Sequence, residues 1–143
     1  MFLGTHSPKL DAKGRIILPA KFREGLADGL VLTKGRDRCL VVWPAAEFET
    51  YSAELRASSQ ANASVRANAR IFFSSAFDTP LDSQGRLTVP PMLRDYAHLD
   101  RELTVVGADT RIEIWATSEW EDYVARYEPD FADLDVEGGP GLP

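Results

Sequence analysis

A segment of this chain recurs at a shift of 71 residues, and that duplication limits the folds open to it more than any other feature. Leu10-Asp11-Ala12-Lys13-Gly14-Arg15-Ile16-Ile17-Leu18-Pro19 falls on Leu81-Asp82-Ser83-Gln84-Gly85-Arg86-Leu87-Thr88-Val89-Pro90, keeping Leu, Asp, Gly, Arg and Pro, and Arg23 falls on Arg94. One residue further, at a shift of 72, Gly35, Asp37, Trp43, Glu47, Glu49 and Tyr51 fall on Gly107, Asp109, Trp115, Glu119, Glu121 and Tyr123. The pattern Asp-x-x-Gly-Arg-x-x-x-Pro arises at a given position with odds on the order of 1 in 10⁵ at average composition. Its presence twice in register, with a second matching block, marks a duplicated unit.

Each copy reads the same way. In the first, residues 5–10 suggest a strand, and Asp11–Gly14 has the Asp and Gly of a turn. The β-branched run from Arg15 to Leu18 predicts a second strand, and Pro19 opens a short helix through Leu26 with Phe22 and Leu26 on one face. Residues 30–33 and 39–43 predict strands joined by a hairpin over Gly35–Arg38. Pro44 then opens an amphipathic helix with Phe48, Tyr51 and Leu55 on its stripe. In the second copy the equivalents are a strand over 86–89, a short helix from Pro90, and strands over 102–106 and 111–115. A helix follows from Ser118, which with Glu121 makes a capping box. The expected division is a first repeat over 1–55, a helical connector over 56–72 that extends the preceding helix, a second repeat over 73–127, and an acidic, disordered tail over 128–143. A unit this small buries too little surface alone. The expected fold is therefore mainly β with short helices (α+β), two tandem repeats sharing a pseudo-twofold β-barrel core flanked by helices.

Composition narrows the function. At 143 residues, 44 % hydrophobic and 27 % charged, the chain can build a core. No apolar run reaches the roughly 18–20 residues of a membrane span. The N-terminus lacks the basic and apolar parts of a signal peptide, so the expectation is a soluble, cytoplasmic protein. Cys39, the single cysteine, lies among Leu40, Val41 and Val42 and reads as a small buried hydrophobe. The net charge of −6 hides a gradient. Residues 1–38 hold eight bases and four acids, whereas the stretch from Glu113 to the end holds nine acids and only Arg126. Phosphates respond to the local field, so nucleic acid stays in play.

Nothing here resembles a catalytic or metal centre. The only histidines are His6 and His98, and no Cys/His spacing suits a metal. No phosphate-binding glycine loop or nucleophile elbow is present, so no cofactor is expected. Asp11 and Asp82 could form a carboxylate dyad across the pseudo-twofold, but each is followed four residues later by an arginine, the commoner arrangement of a salt-bridged turn. Two uses of those arginines remain open. Arg15 and Arg86 could meet guanine edges or phosphates, with Gly14 and Gly85 letting the backbone approach. They could equally pair with Asp11 and Asp82 and only fix the turns. The candidate nucleic-acid contacts are Lys9, Lys13, Arg15 and Arg23 in the first copy and Gln84 and Arg86 in the second; the turn supports are Asp11, Gly14, Asp82 and Gly85. Trp43, Trp115, Tyr51 and Tyr123 read as core, and Glu47, Glu49, Glu119 and Glu121 as solvated helix faces.

The doubled Asp-x-x-Gly-Arg-x-x-x-Pro after a short strand, with Met1-Phe2-Leu3-Gly4 ahead of it, strongly resembles the MraZ family from Met1 to about Tyr127. That resemblance implies a bacterial transcriptional regulator built from two AbrB-like (SpoVT-AbrB) repeats. It also implies binding of double-stranded DNA at direct repeats upstream of its own operon, the division and cell-wall cluster, with repression the expected sign. The implied assembly is a ring-shaped homo-oligomer at the nucleoid, with Arg15 the DNA-contacting residue. Gln84, with no lysine near it, departs from a fully basic second turn. The competing reading is an assembly module on the same duplicated barrel that binds no DNA.

Overall fold

The computed structural model describes residues 1–133. The first repeat contributes β1 (Thr5–His6), β2 (Arg15–Ile17), α1 (Ala20–Glu24), β3 (Leu30–Lys34), β4 (Leu40–Pro44) and α2 (Ala45–Ala57). A further helix, α3 (Ala63–Ser74), leads into β5 (Phe77–Asp78), β6 (Arg86–Thr88), α4 (Pro91–Tyr96), β7 (Leu103–Ala108), β8 (Arg111–Ala116) and α5 (Thr117–Asp133).

The repeats interleave. Six strands form a sheet in the order β1-β7-β8-β4-β3-β5, while β2 and β6 pair as a separate two-stranded antiparallel ribbon. Strand β1 of the first repeat thus lies on β7 of the second, and β5 of the second on β3 of the first. At the pseudo-twofold, β4 meets β8 with Val41 opposite Glu113. This is the mixed, pseudo-twofold β architecture with flanking helices expected from the duplication. Ribbon and sheet enclose the core as two sheets, with no single hydrogen-bonded ring of strands among the described residues.

The sheet is covered on both faces, which explains why β4 reads Leu-Val-Val-Trp without polar alternation. Leu30, Leu32, Leu40, Val42, Leu103, Val105, Ile112 and Ile114 face one core, closed by Ile16 and Leu87 of the ribbon and by Phe22 and Leu93 of the short helices. On the other face Cys39, Val41, Trp43 and Trp115 pack with Leu55 and Phe72 from α2 and α3. Cys39 is buried, and burial raises its thiol far above the ordinary range, so it stays a neutral hydrophobe.

Several local expectations change. The strand predicted over 5–10 is only Thr5–His6, followed by a lone bridge from Lys9 to Glu102. The connector does not prolong α2: that helix ends at Ala57, and Asn62 starts α3 by accepting from the Ser64 and Val65 N–H groups. Ser118 does not cap α5, because the helix already includes Thr117, whose N–H goes to the Glu102 carbonyl. Residues 128–133 of the expected disordered tail are helical, since Tyr123, Tyr127 and Phe131 continue the four-residue apolar spacing that the acidic composition masks. The rest of that tail lies outside the described residues.

Candidate nucleic-acid interface

The two signature turns close at opposite ends of the ribbon, because β2 and β6 run antiparallel with Arg15 opposite Thr88 and Ile17 opposite Arg86. Each is a hydrogen-bonded turn in which the Gly14 N–H reaches the Asp11 carbonyl at 3.0 Å and the Gly85 N–H reaches that of Asp82 at 2.9 Å. Gly14 and Gly85 have φ of +74° and +75°, where a side chain would be strained.

Both aspartates do the same local work. Asp11 Oδ1 accepts from the Lys13 and Arg15 N–H groups at 2.9 Å each, while its Oδ2 accepts from Arg15 Nε at 2.9 Å. Asp82 Oδ1 accepts from the Gln84 and Arg86 N–H groups at 2.9 Å each, and its Oδ2 from Arg86 Nε at 2.6 Å. Each carboxyl is held below its usual range, first by the N–H of its own arginine and then by that arginine's side chain. No dyad forms, since each carboxylate is spent on its own turn. The structural use of the two arginines is in place, with Nε fixing the turn, while among the described residues no acceptor engages the Nη nitrogens of Arg15 or Arg86. A guanidinium held by one edge presents its other edge in a set direction, the geometry a bidentate contact to guanine or phosphate needs.

The other candidates divide. Lys13 and Gln84 are exposed at equivalent turn positions, with their side chains free to reach outward. Lys9 stands off the ribbon with its Nζ 3.4 Å from Glu102, a surface pair worth little energetically. Arg23 is engaged inside the protomer: its Nη1 donates to the Leu18 carbonyl at 2.7 Å, and its side chain lies across Gly85, where an added Cβ would stand 2.6 Å from Arg23 Cδ. Arg94 lies across Gly14 in the mirror relation, its Cζ 2.8 Å from where a Cβ would be. Each helix arginine thus braces the turn of the other repeat. Arg94 was missed as a turn support; its match to Arg23 was the available signal. Ile17, 56 % exposed between the two turn arginines, was missed as well.

A cleft on the far face of the sheet, between α2/α3 and α5, is lined by Trp43, Tyr51, Phe72, Trp115, Trp120 and Tyr123. It differs from the turns in being aromatic, with a rim of mixed charge in which Glu47, Glu54 and Glu113 stand beside Lys34, Arg36 and Arg111. No group of His, Cys, Asp or Glu suited to a metal occurs among the described residues, and none of their helices is long and apolar enough to cross a membrane.

The fold and the doubled turn define a class: single-chain tandem repeats whose paired units share one core and display two turn arginines on one ribbon. The sequence profile described as "MraZ protein, putative antitoxin-like" matches twice, over residues 1–71 and 72–137. Proteins named transcriptional regulator MraZ are 56 % identical in Salinispora arenicola, 53 % in Thermobifida fusca and 50 % in Micrococcus luteus. Each aligns over 99 % of this chain and 99–100 % of its own length. The chain belongs to the MraZ family, whose relatives here are named transcriptional regulators.

Proposed function

We propose that the protein regulates transcription by binding double-stranded DNA through the outward face of the β2–β6 ribbon and its two turns. The carrying observation is the pair of arginines anchored through Nε to Asp11 and Asp82, with their Nη edges left for an outside acceptor. Arg15 and Arg86 are the base or phosphate contacts, Lys13 and Gln84 flank them, and Asp11, Gly14, Asp82 and Gly85 shape the turns. Lys9 contributes at most a peripheral charge and Arg23 acts as a brace. The site is the DNA upstream of the protein's own operon, the division and cell-wall cluster, and occupancy there represses it from the nucleoid.

One ribbon touches few phosphates and binds weakly, so several protomers must act together on repeated sites. The helices support such an assembly. In the first repeat α3 lays Phe72 over Trp43 and Tyr51, whereas among the described residues no second helix lies over the matching Trp115, Trp120 and Tyr123. Helix α3 exposes Ile71 and Phe73 beside Arg66 and Arg70, and α5 exposes Tyr127 and Phe131 with six carboxylates against Arg126. Unlike faces that match in charge and apolarity favour a head-to-tail contact, which closes into a ring when the rotation allows.

The test is fluorescence anisotropy of the wild type, Arg15→Ala and Arg23→Ala against the upstream DNA and a scrambled duplex at several salt concentrations. Light scattering on the same samples gives the assembly mass. Specific binding is expected, with Arg15→Ala losing ~10-fold or more in affinity and flattening the salt slope by about 1 for each protomer contacting the duplex. Arg23→Ala should keep that slope. A folded Arg15→Ala that binds as the wild type does would return the arginine to a purely structural role and favour the assembly module.

A further inference from the structure

The ribbon's outward face differs between its two halves. Ile16 and Leu87 point into the core at 1 % and 0 % exposure, so the alternate residues Arg15, Ile17, Arg86 and Thr88 share the outward face. Pseudo-symmetry equates Arg15 with Arg86 and Ile17 with Thr88. Ile17 therefore places a branched apolar side chain, exposed between two guanidiniums, where the other repeat has a hydroxyl.

Cross-strand neighbours on such a face lie about 5 Å apart and same-strand neighbours about 7 Å. The four side chains thus fit within the ~12 Å width of the major groove, which admits a two-stranded ribbon. An isoleucine gains by losing water only if something apolar meets it, and the apolar group on the base edges of that groove is the C5-methyl of thymine. Resting on the reading of the ribbon as the DNA contact, we propose that Ile17 packs on a thymine methyl and so sets the polarity of each protomer on the duplex.

The polarity follows from the pseudo-twofold. Two equivalent arginines alone would let a protomer sit either way round with the same contacts. Ile17 against Thr88, with Lys13 against Gln84, removes that equivalence. Protomers that all bind with one polarity call for direct repeats, whereas two-fold related ones call for palindromes.

The experiment starts with the full-length wild type selecting duplexes from a random pool. Each thymine of the selected site is then replaced by uracil, which removes only the methyl group. The expected result is a several-fold loss of wild-type affinity at one or two thymines per repeat. Ile17→Ala should bind the thymine duplex several-fold more weakly and no longer distinguish uracil, while Ile17→Val keeps the discrimination. Melting curves matching the wild type show that the variants are folded, as the exposure of Ile17 leads one to expect. A wild type that prefers its selected duplex yet tolerates uracil everywhere overturns the proposal and leaves the DNA-binding reading standing. So does an Ile17→Ala variant as uracil-sensitive as the wild type. A wild type that enriches no sequence overturns both.

Discussion

Asp11 and Asp82 each hold three donors, and that makes the turns sensitive to acid in a definite window. Their carboxyls ionise below the value of about 3.9 usual for an unfolded aspartate. A depressed folded value gives stability that is fully present above the unfolded one and is lost as pH falls through the folded one. The Lys13 and Gln84 amide resonances are therefore expected to stay sharp from pH 7 to about 4 and to broaden only below that; loss of order near pH 6 would contradict the ion-pair account. Gly14 makes a second prediction at this scale. Alanine there meets both the positive φ of +74° and the guanidinium of Arg94, so Gly14→Ala is expected to cost about 1–3 kcal/mol, read as a lower denaturation midpoint. The turn itself was legible in the sequence, because an Asx-type turn with a following arginine is local chemistry. The brace was not, because Arg23 and Gly85 belong to different repeats and only the folded chain brings them together.

The elements show where composition misleads. Helices α2 and α3 are separate because Asn62 offers its carboxamide to two free N–H groups, a choice invisible in a stretch rich in alanine and serine. Helix α5 outruns its expected end because its aromatic spacing continues where charge suggests disorder. The ribbon strands and both short helices were legible for the opposite reason: a proline after a β-branched run signals the same break in both copies. The pairing partners were not, since period and propensity say which residues form strands but not which strands meet. Phe72 is the main packing group of α3, stacked against Phe48 and edge-on to Trp43 and Tyr51. Phe72→Ala is expected to destabilise the fold by about 3 kcal/mol in urea denaturation, since the aromatic cluster cannot collapse fully into the gap. A loss well below 1 kcal/mol would mean that α3 is held chiefly by contacts outside the protomer.

At the scale of the whole molecule, the duplication does not make two domains. Strand β1 depends on β7, β5 on β3, and each ribbon strand on the other. Residues 1–71 or 72–137 produced alone are expected to show no cooperative unfolding transition by circular dichroism, and mixing the two pieces should restore one. A half that melts cooperatively by itself would show that the shared core is dispensable.

The same interleaving bears on how the protein is made. Phe2 bridges Asp109 at the edge of the sheet, so the backbone at Phe2 has no strand partner until translation has advanced about a hundred residues to Asp109. At roughly 5–20 residues per second that is a wait on the order of 5–20 s. Throughout it the apolar strands of the first repeat, Leu30–Lys34 and Leu40–Pro44, stand without the ribbon and the second repeat that later enclose them. The nascent first half is thus the stage at which a growing chain needs shelter, and a slow stretch of translation before residue 103 lengthens the exposure it must survive.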